Sequence, residues 1–316
     1  MNSERRLVVI LGPTASGKSA LALFLAHELH GEIVCCDSTQ IYGHFDIGTG
    51  KVPPSEQNGI PHHLVDLAEP EDVFTAGDYC RHALQTLEEI SHRGKLPILT
   101  VGTGLYLRAL LEGLDNLPGR SEALRERLRQ RAALRGPQYL HRMLLRCDPV
   151  AARQIASRDA QKLIRAIELC LLTGKPASQL RGRNRTALKS FAVTKIGLLP
   201  DREKLYAQID HRVEAMLASG WLDEVRDIMR RRVPPTAKPF TFLGYAQLRD
   251  HILNATSLAA AVAEIQQATR RYAKRQITWF RREPDVHWLS GFGYDKRIQC
   301  EALQLTGGYL NVRYHT

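Results

Sequence analysis

The stretch LVVILGPTASGKSALALFLAHEL, residues 7–29, decides the fold that we expect of this 316-residue chain. Its first five residues are apolar and mostly β-branched, which is typical of a buried parallel strand, and residues 19–29 have helical spacing. The turn between them fits the pattern GxxxxGK[ST], in which backbone N–H groups and the start of the helix bind phosphate. We therefore predict a di- or triphosphate site in which Lys18 reaches the terminal phosphate and Ser19 ligates Mg²⁺. The residues of this site are Gly12, Pro13, Thr14, Ala15, Ser16, Gly17, Lys18 and Ser19.

Similar patterns farther along the chain extend this unit into a sheet. Residues 32–36, 96–101 and 191–199 resemble buried strands, and residues 76–93, 203–218, 221–232 and 258–282 have helical periodicity. This alternation predicts an α/β fold, a P-loop NTPase-like parallel sheet flanked by helices. Residues 117–188 carry helical patterns without a strand signal, which predicts a small all-helical insertion domain within a core of residues 1–116 and 189–316. The segment after Ser290 is Gly-rich and weakly patterned, and it supports no functional prediction.

The positive charge of the chain is concentrated in the predicted insertion. The chain has 44 Lys and Arg and 33 Asp and Glu, a formal net charge of +11. Residues 117–188 hold 16 basic and 5 acidic residues, which accounts for the whole excess, and 14 of those 16 are Arg. Because Arg is well suited to phosphate and base contacts, we predict a polyanionic partner, nucleic acid before membrane. A solvated, Arg-rich helical face is the alternative explanation.

Composition and patterning exclude several other classes of protein. The apolar and charged fractions, 44% and 24%, are ordinary for a folded globular protein. No apolar run approaches the roughly 18–20 residues of a membrane helix, and the run at residues 7–11 is too short for a signal-peptide core of about 7–15 residues. We therefore expect a cytoplasmic protein without membrane association. None of the six cysteines forms a CxxC pair, which argues against a zinc site or a disulfide framework.

Polar and glycine residues directly follow two of the predicted strands. Asp37 comes after residues 32–36, and Gly102-Thr103-Gly104 comes after residues 96–101. Ligands on an open α/β sheet bind beyond the carboxyl ends of the strands, so both turns should meet the phosphate loop in one crevice. Asp37 could ligate Mg²⁺, or it could accept a proton or a hydrogen bond from a substrate. A third interpretation gives it only the role of capping its turn.

Several longer motifs resemble those of one family. They are DSTQIY (37–42), DIGT (46–49), HHLVD (62–66), GTGLY (102–106), GYAQ (244–247) and TRRYAKRQITWFR (269–281). With the phosphate loop they cover roughly residues 7–289 and are similar to those of bacterial tRNA dimethylallyltransferases, also called tRNA isopentenyltransferases. The resemblance implies transfer of the dimethylallyl group from dimethylallyl diphosphate to N6 of the adenosine just 3′ of the tRNA anticodon, assisted by Mg²⁺. It also implies a monomer whose phosphate loop binds the diphosphate of the prenyl donor.

The resemblance further implies roles for individual residues. Asp37 would take the proton from the adenine amine, Thr103 would contact the reacting centre, and Lys18 and Arg212 would stabilise the leaving diphosphate. Contacts with tRNA are implied for Asp37, Ser38, Thr39, Gln40, Thr103, Arg125, Gln161, Lys162, Leu163, Ile164, Arg165, Thr241, Gly244, Tyr245, Lys274, Arg275, Gln276, Thr278, Trp279 and Arg281. The chain departs from the family at Val101, Lys162 and Phe242-Leu243, where Gly, Arg and smaller residues are usual. The first difference could narrow the channel beside the reacting atoms, and the others could shift the preference among tRNAs.

Three other functions are weighed against this one. An adenylate isopentenyltransferase would prenylate a free nucleotide, which has no need of a basic insertion. A P-loop small-molecule kinase or ATPase would bind ATP at the loop, and it would leave the insertion unexplained as well. A non-catalytic RNA-binding protein would leave the phosphate loop and Asp37 unexplained. We therefore expect a prenyltransferase that modifies tRNA.

Overall fold

The structure is a computed structural model that describes residues 5–115, 117–180, 188, 190–231 and 233–307. The chain divides into two compact units, one formed by Met1–Leu111 with Leu188–Thr316 and the other by Glu112–Ala187. The second unit overlaps the insertion predicted at residues 117–188, and its described residues hold helices without a strand. The first unit is an α/β structure, so the predicted fold class is confirmed.

Six parallel strands form the sheet of the first unit: β1 (Arg5–Leu11), β2 (Gly31–Cys36), β3 (His62–His63), β4 (Leu96–Val101), β5 (Phe191–Leu198) and β6 (Val286–Leu289). Their order is β3-β2-β4-β1-β5-β6, so β1 lies inside the sheet, between β4 and β5. The four strands predicted from the sequence are present. The sequence analysis missed β3 and β6, because edge strands of two and four residues are too short to show a pattern.

The described residues contain thirteen α-helices. They are α1 (Lys18–Glu28), α2 (Ala76–His92), α3 (Gly104–Glu112), α4 (Glu122–Arg135), α5 (Pro137–Cys147), α6 (Pro149–Gln154), α7 (Ala160–Thr173), α8 (Ala177–Leu180), α9 (Arg202–Ala218), α10 (Trp221–Arg230), α11 (Tyr245–Ile252), α12 (Leu258–Phe280) and α13 (Lys296–Leu305). Two short 3₁₀ helices, Pro54–Glu56 and Lys238–Thr241, lie in the connections. The helices predicted in the first unit are present, with ends that differ by one or two residues.

Helices cover both faces of the sheet, and this explains the unbroken apolar run of β1. Leu7, Val9 and Leu11 belong to a core with α2 and α3, whereas Val8 and Ile10 belong to a second core with α1 and α13. Successive side chains of a strand point to opposite faces, so a strand covered on both faces must be apolar at every position. The phosphate loop therefore follows a strand that is fixed from both sides.

Helix α13 corrects the description of the segment after Ser290 as weakly patterned. Its residues Ile298, Ala302 and Leu303 pack in the same core as Leu21 and Leu25 of α1. The helix is only ten residues long and follows a Gly-containing turn, so its apolar face is hard to see in the sequence.

The second unit has its own core and an internal ion cluster. Leucine and isoleucine side chains of α4, α5 and α7 form the core. The fully buried Glu168 accepts hydrogen bonds from Arg125 Nε and Nη2, both at 2.9 Å, from Arg165 Nη1 at 2.7 Å and from the Ser121 N–H at 2.8 Å. Burial alone would raise the pKa of Glu168, but the hydrogen bonds from both arginines outweigh it and lower this pKa to about 2.

A helix that crosses a bilayer must be both long and apolar. Within the described residues, none of these helices has the length and apolarity needed to cross a bilayer.

Candidate active site

The phosphate loop joins the end of β1 to the start of α1. Ala15 and Gly17 have positive φ values of 62° and 85°, and this allows a tight turn before the helix begins at Lys18. The loop packs against the segment that follows β6, because a methyl group added at Gly17 would lie 2.7 Å from the nitrogen of Gly293. The Gly293 N–H also donates to the Ser16 carbonyl at 2.9 Å. The loop conformation is therefore supported by residues that are distant in sequence.

Two cations lie near this loop in surroundings that disfavour positive charge. Lys18 Nζ donates to the carbonyls of Gly12 at 3.0 Å and Pro13 at 2.8 Å. Burial, with a smaller contribution from Arg212, lowers the pKa of Lys18 to about 8 against the opposing effect of Asp37. Burial also lowers the pKa of Arg212, on α9, while Asp37 acts in the opposite direction. A bound anion would stabilise both charges, so this part of the molecule has the electrostatics of an anion site.

A cavity of about 440 Å³ brings these groups together with the turn after β2. Its polar lining includes Thr14 to Ser19 of the phosphate loop, the turn from Asp37 to Gln40, and Arg212. Apolar side chains complete the wall, namely Ile209, Val213, Met216, Trp221, Phe242 and Ile265. The cavity can therefore accept a ligand that has both a charged and an apolar part.

Asp37 is held in one orientation by its own turn. Its Oδ1 accepts hydrogen bonds from the Thr39 N–H at 2.9 Å and from Thr39 Oγ1 at 2.7 Å. Its Oδ2 lies directly over Gly102, where a methyl group on that glycine would overlap it. Any side chain at position 102 would displace the carboxylate, which explains why the chain needs glycine there. Oδ1 is thus anchored by the turn, while Oδ2 packs against Gly102.

Thr103 lies beside this turn and supports it. Its Oγ1 accepts a hydrogen bond from the Ser38 N–H at 3.0 Å and donates to Ser38 Oγ at 3.1 Å. Ser38 lines the cavity, whereas Thr103 is not among the described lining residues. The contact between Thr103 and a reacting centre, implied by the resemblance, therefore stays a prediction.

Helix α12 contributes two residues that bond to the turn after β4, and one of them also bonds to the phosphate loop. Tyr272 donates its hydroxyl proton to the Gly102 carbonyl at 3.2 Å, and burial raises the pKa of this tyrosine. Gln276 is buried and bonded to both Thr14 and Gly102. Sequence reasoning missed Tyr272, although it stands four residues before Gln276 and thus on the same helix face. It also missed the apolar wall around Trp221, for which the sequence holds no local signal.

The residues that the resemblance connects with tRNA fall into three groups by exposure. Gln161, Lys162, Thr241, Lys274, Arg275, Thr278, Trp279 and Arg281 are exposed. Asp37, Ser38, Thr39, Gln40, Thr103, Arg125 and Arg165 are partly buried. Leu163, Ile164, Gly244, Tyr245 and Gln276 are buried, and their side chains do not form surface. The phosphate loop, residues 37–40, Arg212, Arg275 and Gln276 share the cavity.

The exposed residues of α12 form a basic surface with an aromatic ring. Arg271, Lys274, Arg275, Thr278, Trp279 and Arg282 line a shallow groove. Trp279 is 38% exposed, and the guanidinium of Arg108 lies over its ring at 5.7 Å from the centroid. Aromatic and guanidinium planes of this kind are able to stack with unpaired bases.

Mg²⁺ would find few protein ligands at the phosphate loop. Within the described part of the chain, no group of three or more His, Cys, Asp or Glu side chains could hold a metal. Ser19 is exposed and lines the cavity together with Asp37. Mg²⁺ usually takes few protein ligands and completes its shell with phosphate oxygens and water, so these residues fit Mg²⁺ bound with a diphosphate.

Comparisons with known proteins agree with the sequence motifs. Residues 40–283 match the family model described as IPP transferase. The tRNA dimethylallyltransferase of Solibacter usitatus is 50% identical over 304 residues, which cover 96% of this chain and 99% of that protein. The tRNA dimethylallyltransferase of Koribacter versatilis is 48% identical, with 96% and 98% covered.

Solved structures give the same picture. The tRNA isopentenylpyrophosphate transferase of Bacillus halodurans is 34% identical to this chain and superposes on it with a TM-score of 0.70. The alignment covers 96% of each of the two chains. A eukaryotic dimethylallyltransferase at 24% identity and a TM-score of 0.77 covers 98% of this chain and 81% of that one, and it shares the fold. The resemblance seen in the sequence is therefore confirmed, and the chain belongs to the IPP transferase family.

Proposed function

We propose that this chain transfers a dimethylallyl group from dimethylallyl diphosphate to N6 of the adenosine just 3′ of the anticodon of tRNA. The observation that carries the proposal is the cavity in which the desolvated cations Lys18 and Arg212 accompany the carboxylate of Asp37. Such a site suits one substrate that is a polyanion and another that gives up a proton. The names of the relatives from Solibacter usitatus and Koribacter versatilis support tRNA as the acceptor.

The donor fits the mixed lining of the cavity. Its diphosphate would bind the N–H groups of the phosphate loop, with Lys18 turning from the Gly12 and Pro13 carbonyls to the phosphate oxygens. The five-carbon chain would contact apolar side chains such as Val213, Met216 and Phe242. Arg212 would hold the diphosphate from α9, so that the two cations stabilise the charge that develops on the leaving oxygens.

The acceptor needs a base, because an exocyclic adenine amine is a weak nucleophile. As the bond between N6 and the allylic carbon forms, the bond between that carbon and oxygen breaks, and diphosphate leaves with the electron pair. The N6 proton passes to Oδ2 of Asp37, while Thr39 keeps Oδ1 in place. When bound, Mg²⁺ would neutralise part of the diphosphate charge, with Ser19 and phosphate oxygens as ligands.

The tRNA must present its adenosine outside the anticodon stack. An unpaired base can be extruded at a cost of a few kcal/mol, and aromatic or guanidinium planes stabilise such bases. We propose that the exposed groove of Lys274, Arg275, Thr278 and Trp279 binds the anticodon loop. The exposed cations among the described residues of the second unit, Glu112–Ala187, would add phosphate contacts.

The other candidate functions are less well supported. A kinase or ATPase and an adenylate isopentenyltransferase would each use the phosphate loop, but neither has a use for the +11 charge concentrated in residues 117–188. The monomeric state and the cytoplasmic location remain predictions.

A transfer assay tests the proposal. Purified protein, Mg²⁺, dimethylallyl diphosphate and unmodified tRNA would be incubated, and the nucleosides would be analysed by mass spectrometry after digestion. We expect one adenosine per tRNA to be heavier by one isopentenyl unit, and no product from a tRNA with guanosine at that position. Product from free AMP alone would indicate an adenylate isopentenyltransferase. ATP turnover without prenyl transfer would indicate a kinase or ATPase.

A further inference from the structure

The side chain of Gln276 joins two parts of the site that are far apart in sequence. It is 6% exposed, and its Oε1 accepts a hydrogen bond from the Thr14 N–H at 2.8 Å. Its Nε2 donates to the Gly102 carbonyl at 2.9 Å. One amide thus links the phosphate loop, after β1, to the turn after β4.

The chemistry of the two partners fixes the direction of this link. A backbone N–H can only donate and a backbone carbonyl can only accept, so the amide oxygen must face Thr14 and the amide nitrogen must face Gly102. Among the ordinary side chains of this length, only Gln supplies an acceptor and a donor side by side at any pH. Glutamate would lack the donor, and methionine would lack both.

Gly102 makes the link relevant to the reaction. Oδ2 of Asp37 lies directly over this glycine, and Tyr272 supports the same carbonyl from one helical turn before Gln276. The Gly102 and Thr103 N–H groups both donate to the Cys36 carbonyl at 3.0 Å, directly before Asp37. A change in the distance between Thr14 and Gly102 would therefore change the distance between the bound diphosphate and the proton acceptor.

We propose that Gln276 is a positioning residue that sets the phosphate loop against the Asp37 turn, and that it is not a tRNA contact. The proposal rests on the proposed prenyl transfer, in which donor carbon and acceptor nitrogen must meet at these two elements. Misplacement of reacting groups by about 1 Å costs about a hundredfold in rate. Exposed neighbours on the same helix, such as Lys274 and Thr278, remain free to meet RNA.

Two variants and one control separate positioning from RNA binding. Gln276→Met keeps the length of the side chain and removes both hydrogen bonds. We expect the single-turnover rate with both substrates saturating to fall about ten- to a hundredfold, while the dissociation constant for tRNA changes less than twofold. Gln267→Met, at an exposed position of the same helix, should change neither quantity. A weaker tRNA affinity with an unchanged saturating rate would overturn the proposal.

The pH dependence of the rate of Gln276→Glu distinguishes the two hydrogen bonds from a general loss of stability. The protonated acid can accept from Thr14 and donate to Gly102, whereas the carboxylate cannot donate. The rate of this variant relative to wild type should therefore rise as the pH is lowered, and the same ratio for Gln276→Met should stay flat. A flat ratio for Gln276→Glu would contradict the proposal even if the methionine variant folds poorly.

Binding of inorganic diphosphate keeps this test separate from the test of function. If wild type transfers no prenyl group to tRNA, the proposed function fails, and the link can still be measured by calorimetric titration with diphosphate. Gln276→Met should then bind diphosphate several-fold more weakly than Gln267→Met does. Equal affinities in the two variants would show that Gln276 does not shape the phosphate loop.

Discussion

Two groups of buried charges, one in the cavity and one in the helical unit, are balanced in opposite ways. In the helical unit, Glu168 receives hydrogen bonds from two arginines and a backbone N–H, and its pKa falls to about 2. In the cavity, Lys18 donates to two backbone carbonyls, and its pKa falls to about 8. A lowered pKa means a stabilised charge for an acid and a destabilised charge for a base. The charges of the first group are therefore balanced without a ligand, whereas a bound anion would balance those of the second.

The largest expected effect concerns the proton acceptor in the cavity. Asp37→Ala should lower the single-turnover rate of prenyl transfer by about 10²- to 10⁴-fold, because a positioned base contributes about that much. The affinity for tRNA, measured by filter binding, should be largely unchanged. Turnover near the wild-type level would exclude Asp37 as the base. Asp227→Ala, at an exposed position of α10, serves as the control for loss of a carboxylate.

A smaller effect is expected in the helical unit, where Glu168→Gln removes a satisfied charge. The difference between the ordinary pKa of 4.5 and the value of about 2 corresponds to about 3 kcal/mol. Because the folded-state pKa is depressed, this stabilisation is present above pH 4.5 and is lost as the pH falls towards 2. Hydrogen exchange at neutral pH should show about a hundredfold less protection in α4 and α7, with the phosphate loop unchanged.

The outcome for Glu168→Gln also tests the separation of the two units. Diphosphate affinity should equal that of wild type, since Glu168 belongs to the other compact unit. Loss of protection in both units would show that the ion cluster stabilises the whole chain. Glu126→Gln, which removes an exposed ion pair with Arg129 on α4, is the control for loss of a carboxylate outside the buried cluster.

The smallest effect is the pH dependence of diphosphate binding. Below about pH 8 the side chain of Lys18 carries a proton and is positively charged. Above about pH 8 Lys18 is mostly neutral in the free protein, so the protein must take up a proton when it binds an anion. The dissociation constant should therefore rise by up to about tenfold per pH unit above pH 8, in excess of the slope seen with Lys18→Arg. Equal slopes in the two proteins would assign the pH dependence to the ligand and would contradict a lowered pKa of Lys18.

Features whose chemistry lies in one short segment could be predicted from the sequence, and features that depend on distant residues could not. The phosphate loop and Asp37 were found because their chemistry lies in short segments that directly follow apolar strands. The environment of Arg125 was not found, because it depends on Glu168, which lies 43 residues farther along the chain in another helix. The role of Gln276 was missed because its neighbours in sequence include exposed cations. Its burial depends on hydrogen bonds to Thr14 and Gly102, which are distant in sequence. Strands β3 and β6 were missed because they are short and lie at the sheet edges.

The contact between the phosphate loop and Gly293 has a consequence for the order of folding. Residues 12–19 leave the ribosome long before Gly293, whose N–H supports the Ser16 carbonyl. At about 5–20 residues per second, the loop waits on the order of tens of seconds for this support. A methyl group at Gly293 would overlap the Gly17 carbonyl, so the loop and the segment after β6 are in close contact at this point. The phosphate loop therefore gains this support only after residue 293 has been synthesised, and a product that stops before residue 293 would lack it.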